Sequence, residues 1–472
     1  MRKLLSRLLL ALVLCIGLAP IKAFATPGEE GQVEKAIISY NPAQGSDVDA
    51  LTEQIIANGL AGDQDFIEKL YTNGLEAIKK PAQTPTQAVK TLALIQAQAY
   101  LSQKSTLDLI ASYKAEHNTS IEYHAYWAGN ILVISAPQDL LEKIKQLPEY
   151  KSLSKDGTII QDPVEKPLLF GSFRSAPADP REVEENLKLI RADKVWSELN
   201  IDGSGVTVGV VDQKVDIDHP ALKTKFRGYD SATGTAVTEG NYLDLVSSPY
   251  PSDHGTHVTG IILGSETRGP AGSSFDYNRI GVAPGANFIV ASAFRDGVGA
   301  SNENIIKACQ CMMAPGGDPA KAPKIVNHSW SDGSNKIDPW FDDMARQMRA
   351  VGILNVMSSG NNGSELAPSG SLDNPSGLSD IFTVGACDLS GSVASFSRRG
   401  PVANNASLIK PDVVAPGVGV RSSVYGGGYA SWDGTSMAAP HVAGVAALVW
   451  SANPDLSLDE VEAILRESAQ IK

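Results

Sequence analysis

The chain has 472 residues, 43% hydrophobic and 20% charged, with 43 Gly and 27 Pro; this composition is globular and excludes fibrous, low-complexity and disordered classes. Its 40 basic and 53 acidic residues leave a formal net charge of −13, which excludes a nucleic-acid or anionic-membrane partner, since either needs a basic face to displace counterions. Four cysteines are too few for a disulfide scaffold, and about 150 residues per domain implies three units, or two if one is a large α/β domain.

Residues 1–25 read as a signal peptide. Arg2, Lys3 and Arg7 supply positive charge, residues 8–18 are apolar, and Ala23-Phe24-Ala25 is a small-x-small site that places cleavage before Thr26. The apolar run is shorter than the about 20 residues a membrane span needs. No stable membrane span is therefore expected, and the mature protein is expected to be secreted, extracellular or periplasmic.

Residues 26–175 form a first unit. Stretches 47–58, 63–73, 85–101 and 105–114 have helical periodicity, punctuated by Gly59, Gly62, Gly74 and Pro81. Residues 122–127 and 130–136 alternate as strands around a tight turn at Gly129. Pro137 opens a helix to 147, and 157–161 reads as a further strand. A linker follows at 162–180, carrying Pro163, Pro167, Pro177 and Pro180.

From residue 183 onward, within a second unit spanning 176–472, strands and helices alternate. The spacing predicts strands at 206–211, 288–293, 324–327, 353–357 and 381–386. It predicts helices at 257–263, 303–313, 339–350, 438–451 and 457–469, the last opened by a capping box of Ser457 and Glu460. VTVGVV at 206–211 suits a strand buried on both faces. The fold class is therefore α/β, a mostly parallel sheet with helices on both faces, whose sites lie at the carboxyl ends of strands.

Three segments carry chemistry: Val211-Asp212 at a strand end, DHGTHVTG at 253–260, and GTSMAAPHVAG at 434–444. They supply a carboxylate, an imidazole and a hydroxyl. A serine hydroxyl is a weak nucleophile; it needs a base for its proton, and the base needs an acceptor to fix its tautomer. Singly, Asp212 reads as a turn former, His254 as a packing residue and Ser436 as an N-cap. Together they are far more specific.

The chain order Asp, His, Ser is that of subtilisin, not of chymotrypsin or the α/β-hydrolases. HGTHVTG and GTSMAAPHVAG closely resemble the His and Ser motifs of the subtilisin-like serine proteases (subtilases). The resemblance runs on through GVAPGA (281–286), VNHSW (326–330), SSGNNG (358–363), ASFSRRGP (394–401) and KPDVVAPG (410–417). NHSW and the run SSVYGGGYASWDGTSMAAPHVAG are most similar to the bacillopeptidase-F-like enzymes.

The resemblance implies a secreted serine endopeptidase made as a zymogen. Ser436 would be the nucleophile, His254 the general base and Asp212 its orienting acid, with Asn361 as the oxyanion-hole amide; His257 would be structural. Peptide or protein substrate would lie extended between the backbone around Ser329, Trp330 and Ser331 and that around residues 295–299, which include Gly297, with Gly360 beside Asn361. Trp330 is equally readable as core. Residues from about 121 resemble the inhibitor-like α/β prodomain of subtilases, so the chain's own prodomain would be an intramolecular inhibitor, preceded by a helical part without a family match.

No metal ligands are assigned. Calcium remains a family cofactor without a location, because Ala221 stands where calcium-binding relatives carry an acid. Two departures support an alternative, a catalytically weak or inactive subtilase fold that binds peptides. Gln213-Lys214 follows Asp212 where Ser or Thr, then Gly, is usual, and the chain ends at Lys472, before the strand and helix with which family members continue. Lys214 either shares the Asp212 side of an extended strand and competes with His254 for the carboxylate, or turns away to water. After signal removal Cys309, Cys311 and Cys387 remain, and a single bridge to Cys387 is open to either of the other two.

Overall fold

In a computed structural model of the protein, residues 33–75, 80, 86–159, 182–249, 251–268, 275–331, 339–361, 372, 375–402, 405 and 407–470 are described. The expected signal peptide and the linker at 162–180 lie outside them.

The N-terminal unit runs β1 (Val33–Tyr40), α1 (Ser46–Ala57), α2 (Phe66–Asn73), α3 (Gln87–His117), β2 (Glu122–Tyr126), β3 (Ile131–Pro137), α4 (Gln138–Ile144), β4 (Tyr150–Lys155) and β5 (Thr158–Ile159). Its sheet has the order β2-β3-β1-β4, antiparallel throughout. The α/β module is thus not confined to residues beyond about 121. Its central strand is β1, and helices α1, α2 and α3 are inserted between its first two strands.

The two helices expected at 85–101 and 105–114 are one. Thr86 caps α3 by accepting from the Val89 amide, and Asn118, left-handed at φ 49°, ends it. Ser102 and Gln103, between the two expected ranges, are buried. Ser102 accepts from the Asn130 amide at 2.8 Å, while Gln103 donates to Asn130 Oδ1 and to the Tyr126 carbonyl, both at 3.0 Å. Ser102 is satisfied in this way and costs the helix little.

The second unit is built on a seven-stranded sheet. Its strands are β6 (Thr207–Gln213), β7 (Tyr242–Asp244), β8 (Asn287–Phe294), β10 (Ile325–His328), β11 (Leu354–Ser358), β12 (Phe382–Cys387) and β13 (Val413–Pro416), with β9 (Ala300–Ser301) outside the sheet. The order is β13-β12-β11-β10-β6-β8-β7, and every pairing is parallel.

The period of two along a strand sorts the apolar residues to opposite faces. Val208, Val210, Phe288 and Val290 join the cluster under α5 (Asp253–Leu263) and α8 (Thr435–Ala452). Val211, Ile289 and Ala291 join the cluster under α6 (Asn302–Met313) and α7 (Pro339–Ala350). That second cluster continues without interruption into the N-terminal unit, which seats its sheet on α6 and α7. The last helix, α9 (Leu458–Glu467), opens with the expected capping box between Ser457 and Glu460.

Polar contacts pin the two units together. The Tyr126 hydroxyl and the Lys35 ammonium both reach Glu303 at 2.8 Å. The Gly129 amide donates to Gln347 at 2.6 Å, and Lys151 pairs with Asp343 at 2.5 Å. The expected strand at 157–161 appears as β5. It pairs outside its own unit, antiparallel to β9, with Ile159 opposite Ala300.

Candidate active site

Asp212 sits at the carboxyl end of central strand β6 and is fully buried. Its Oδ1 accepts from the Gln213 amide at 2.7 Å and lies 2.7 Å from His254 Nδ1. A buried carboxylate on Nδ1 fixes the imidazole tautomer that leaves Nε2 as the basic nitrogen.

His254 reaches Asp212 because α5 starts unusually close to β6. Ser252 caps this helix, accepting from the His254 amide. A side chain at Gly255 would put its Cβ 2.4 Å from the Gln213 carbonyl oxygen, so the first turn of α5 can lie against the strand end only with glycine there. Trp432 stacks on His257 at 4.2 Å and lies nearly parallel to His254 at 6.4 Å. His257 is buried, with Nε2 on the Ala430 carbonyl at 3.0 Å. Burial lowers its pKa to about 3, which holds it neutral in a structural place.

Ser436 lies in the first turn of α8, which packs on α5. Its hydroxyl donates to the Ser329 carbonyl at 3.2 Å. The sequence SMAAP carries the local reason for a second link. Pro440 has no amide to give the carbonyl four residues back, that of Ser436. That oxygen instead accepts from Ser329 Oγ at 3.0 Å, and Asn327 in turn donates to Ser329 Oγ at 3.0 Å. The loop after β10 and the start of α8 are thereby joined twice.

Asn361 follows β11. Its Oδ1 accepts from the Thr435 amide at 2.8 Å and the Thr435 hydroxyl at 2.7 Å. The Gly360 amide donates to the same hydroxyl at 3.1 Å. Asn361 is thus held through the carbonyl end of its amide by Thr435, the residue before Ser436, which leaves Nδ2 as its donor end. Thr435 was passed over in the sequence, although it lies inside the GTS motif.

Of the residues expected to contact substrate, Ser329, Ser331 and Trp330 are buried. The Trp330 indole donates to the Val211 carbonyl at 3.1 Å and packs on Phe294 and Phe341. Its side chain supports the strand ends from below, so its contribution at the surface is backbone. Gly297, left-handed at φ 68°, lies in the turn that links Arg295 and Gly299. A 270 Å³ cleft beside this turn is lined by Lys214, Ser252, Asp253, Phe294, Arg295 and Asp296 among others.

Lys214 neither faces Asp212 nor snorkels to water. Its ammonium binds Asp244 Oδ2 and the Ser248 carbonyl, both at 2.6 Å. Asp244, thirty residues away at the end of β7, carried no sequence signal. The Gln213 side chain accepts from Ser252 Oγ, which ties the strand end to the helix cap. The departure after Asp212 is therefore built into the scaffold.

Ala221 is fully buried and offers a methyl group, so its side chain supplies no calcium ligand. Among the described residues no group of three or more His, Cys, Asp or Glu side chains is placed to hold a metal. Cys309 and Cys311 carry free thiols, so neither bridges to Cys387; burial pushes the Cys311 thiol up to about 11. Among the described residues no helix is long and apolar enough to cross a membrane.

A model of the subtilase family matches residues 203–472. The chain is 36% identical over 437 residues to Bacillopeptidase F of Bacillus subtilis (strain 168), covering 88% of this chain and 29% of that protein. It is 30% identical over 291 residues to Serine protease AprX of the same strain, covering 56% of this chain and 61% of that one. It is 33% identical over 267 residues to Subtilisin Savinase of Lederbergia lenta, covering 57% and 84%. The chain thus spans under a third of the length of Bacillopeptidase F.

Proposed function

The chain belongs to the subtilase family, and from that membership we propose that it is a secreted serine endopeptidase made as a zymogen, acting on protein or peptide substrates. The observation that carries the reading is the buried Asp212–His254 contact at 2.7 Å, at the strand ends where Ser436 opens a helix.

In this reading His254 Nε2 takes the Ser436 proton as Oγ attacks the peptide carbonyl, and Asp212 stabilises the imidazolium that forms. The developing oxyanion is held by the Ser436 amide and by Asn361 Nδ2, aided by the helix dipole at the α8 N-terminus. His254 returns the proton to the leaving amine, and water attacking by the reverse path releases the acyl group.

The zymogen part is supported by β5. It adds a strand to β9, and the Asn302 amide donates to the Gly157 carbonyl at 3.1 Å. This is the main-chain mode in which an extended substrate binds a sheet edge. The N-terminal unit thus ends in a strand paired beside the 295–299 segment expected to flank substrate, as an intramolecular inhibitor would, and residues 26–175 are its prodomain.

Intact-mass measurement on protein made in a protease-free preparation tests the reading. The chain should cut itself within residues 160–182, and Ser436→Ala should stay whole. Equal cutting of the two proteins, or none in either, would contradict it.

A further inference from the structure

The second unit carries a cavity at the end of its sheet away from the catalytic groups. Thr207 opens β6, Asn241 precedes β7 and Lys324 precedes β10. The cavity of 530 Å³ that these residues line therefore sits at the amino ends of the strands, whereas Asp212 stands at the carboxyl end of β6. Its size is that of a small-molecule site. Arg227 and Lys321 also line it, with Glu239 the one acid among the described lining residues. Three cations against one carboxylate leave the lining a balance of +2, in a chain whose net charge is −13.

Arg227 is fixed there by its backbone and its side chain. Its amide donates to the Phe288 carbonyl at 3.0 Å, which lays it beside β8. Its Nε donates to Asn241 Oδ1 at 2.7 Å, Nη1 to the Lys321 carbonyl at 2.6 Å and Nη2 to the Gly240 carbonyl at 2.7 Å. Among the described residues these neutral acceptors are its partners, with no carboxylate in the set. A guanidinium has two N–H groups on each terminal nitrogen, so each of the two keeps one. Burial holds the pKa of Arg227 below the usual guanidinium value, as expected of a half-buried cation with no opposite charge in contact. Lys324 has the Trp450 ring, 5.8 Å from its ammonium, in place of an acid. Lys321 has Asp318 at 3.8 Å, an exposed pair of little strength.

We propose that this cavity is a binding site for a small oxyanion of charge −2, a phosphate or a dicarboxylate, held by the Arg227 guanidinium and the Lys321 and Lys324 ammoniums. A guanidinium locked by three acceptors loses little freedom on binding. Its two remaining N–H groups suit the paired oxygens of either kind of anion, and two negative charges neutralise the lining. The bound anion would strengthen the bridge that Arg227 makes between residues 240–241 and Lys321, and so stabilise the folded unit by mass action. The site lies wholly within the second unit and does not depend on the catalytic reading.

The test titrates the full Ser436→Ala chain by calorimetry with inorganic phosphate and, separately, with succinate. It is run near pH 8 at low ionic strength, with sodium chloride as the reference salt. At least one probe should bind saturably at a single site, with a dissociation constant below about 1 mM. The tighter probe names the class, phosphate or carboxylate. Replacing Lys321→Gln and Lys324→Gln together should weaken binding about tenfold, and Glu239→Gln, which removes the acid from the lining, should tighten it about threefold. Arg227→Gln should abolish it.

Circular dichroism checks that each variant stays folded. Arg227→Gln also gives up scaffold bonds to Lys321 and Gly240; if it unfolds, the exposed residues Glu239, Lys321 and Lys324 carry the test. The thermal midpoint should rise with the logarithm of anion concentration above the dissociation constant, and rise less in the lysine variant. A rise linear in concentration and equal in all variants is the general exclusion of these salts from protein surface, and it would overturn the site. So would the absence of saturable binding by both probes up to about 10 mM, or a folded lysine variant that binds as tightly as the parent chain.

Discussion

Thr435→Val isolates the support of Asn361, the proposed oxyanion donor. Valine keeps the shape of threonine but can neither donate to Asn361 Oδ1, a bond of 2.7 Å, nor accept from the Gly360 amide at 3.1 Å. Asn361 keeps one anchor, the Thr435 amide at 2.8 Å. One net hydrogen bond is about 1 kcal/mol, so kcat should fall about fivefold with KM little changed, because the lost restraint matters most when the oxyanion forms. Asn361→Ala removes the donor itself; the matching loss measured on subtilisin is about 10²–10³ in kcat. Thr435 acts through Asn361, so the double variant should be no slower than Asn361→Ala alone. The assay is steady-state hydrolysis of a chromogenic peptide by the four processed proteins, kept well below their unfolding temperatures, since the orphaned Gly360 amide costs about 1–3 kcal/mol of stability. A further fivefold loss in the double variant, or wild-type kcat in Thr435→Val, would refute the reasoning.

Two further outcomes follow from the geometry. Replacing Gln213-Lys214 by Thr-Gly should leave kcat within about twofold and the acidic limb of the pH–rate profile in place, because the Lys214 charge is committed to Asp244; the partly exposed pair contributes at most about 1 kcal/mol to stability, and a tenfold rise in kcat would show that Lys214 disturbs Asp212 after all. Burial lowers His257 to about 3 and His328 and His441 to about 4. Each takes up a proton in the unfolded chain below about pH 6.5 but not in the folded one, so stability is complete above that pH and falls toward pH 4, by up to about 4 kcal/mol per unit for all three. Urea unfolding of Ser436→Ala at pH 7.5, 6 and 5 measures this, and a flat profile would contradict it.

What was legible in the sequence was what is local. The strand-and-helix alternation after residue 183 appears in the fold within a few residues at most element ends, because each element is specified by its own periodicity and caps. The capping box at Ser457 and the Gly129 turn are cases in point. What was missed is non-local. Strand β1 gains its place only from β3 and β4, about a hundred residues further on. The two expected helices at 85–101 and 105–114 run on as one, through Ser102 and Gln103, because Asn130 hydrogen-bonds both. The site divides in the same way. Asp212, His254, Asn361 and Ser436 stand in motifs, whereas the Lys214–Asp244 pair exists only after folding.

The central claim is that Ser436 is a nucleophile activated by His254. Its most direct test is intact mass and peptide mapping after treatment with a serine-directed organophosphonate. The processed chain should gain one adduct, on Ser436, and lose peptide hydrolysis in step. Asp212→Asn, which disturbs the imidazole's tautomer, should label far more slowly. A folded, processed chain that takes no adduct, or takes it at another residue while hydrolysis is lost, would contradict the account.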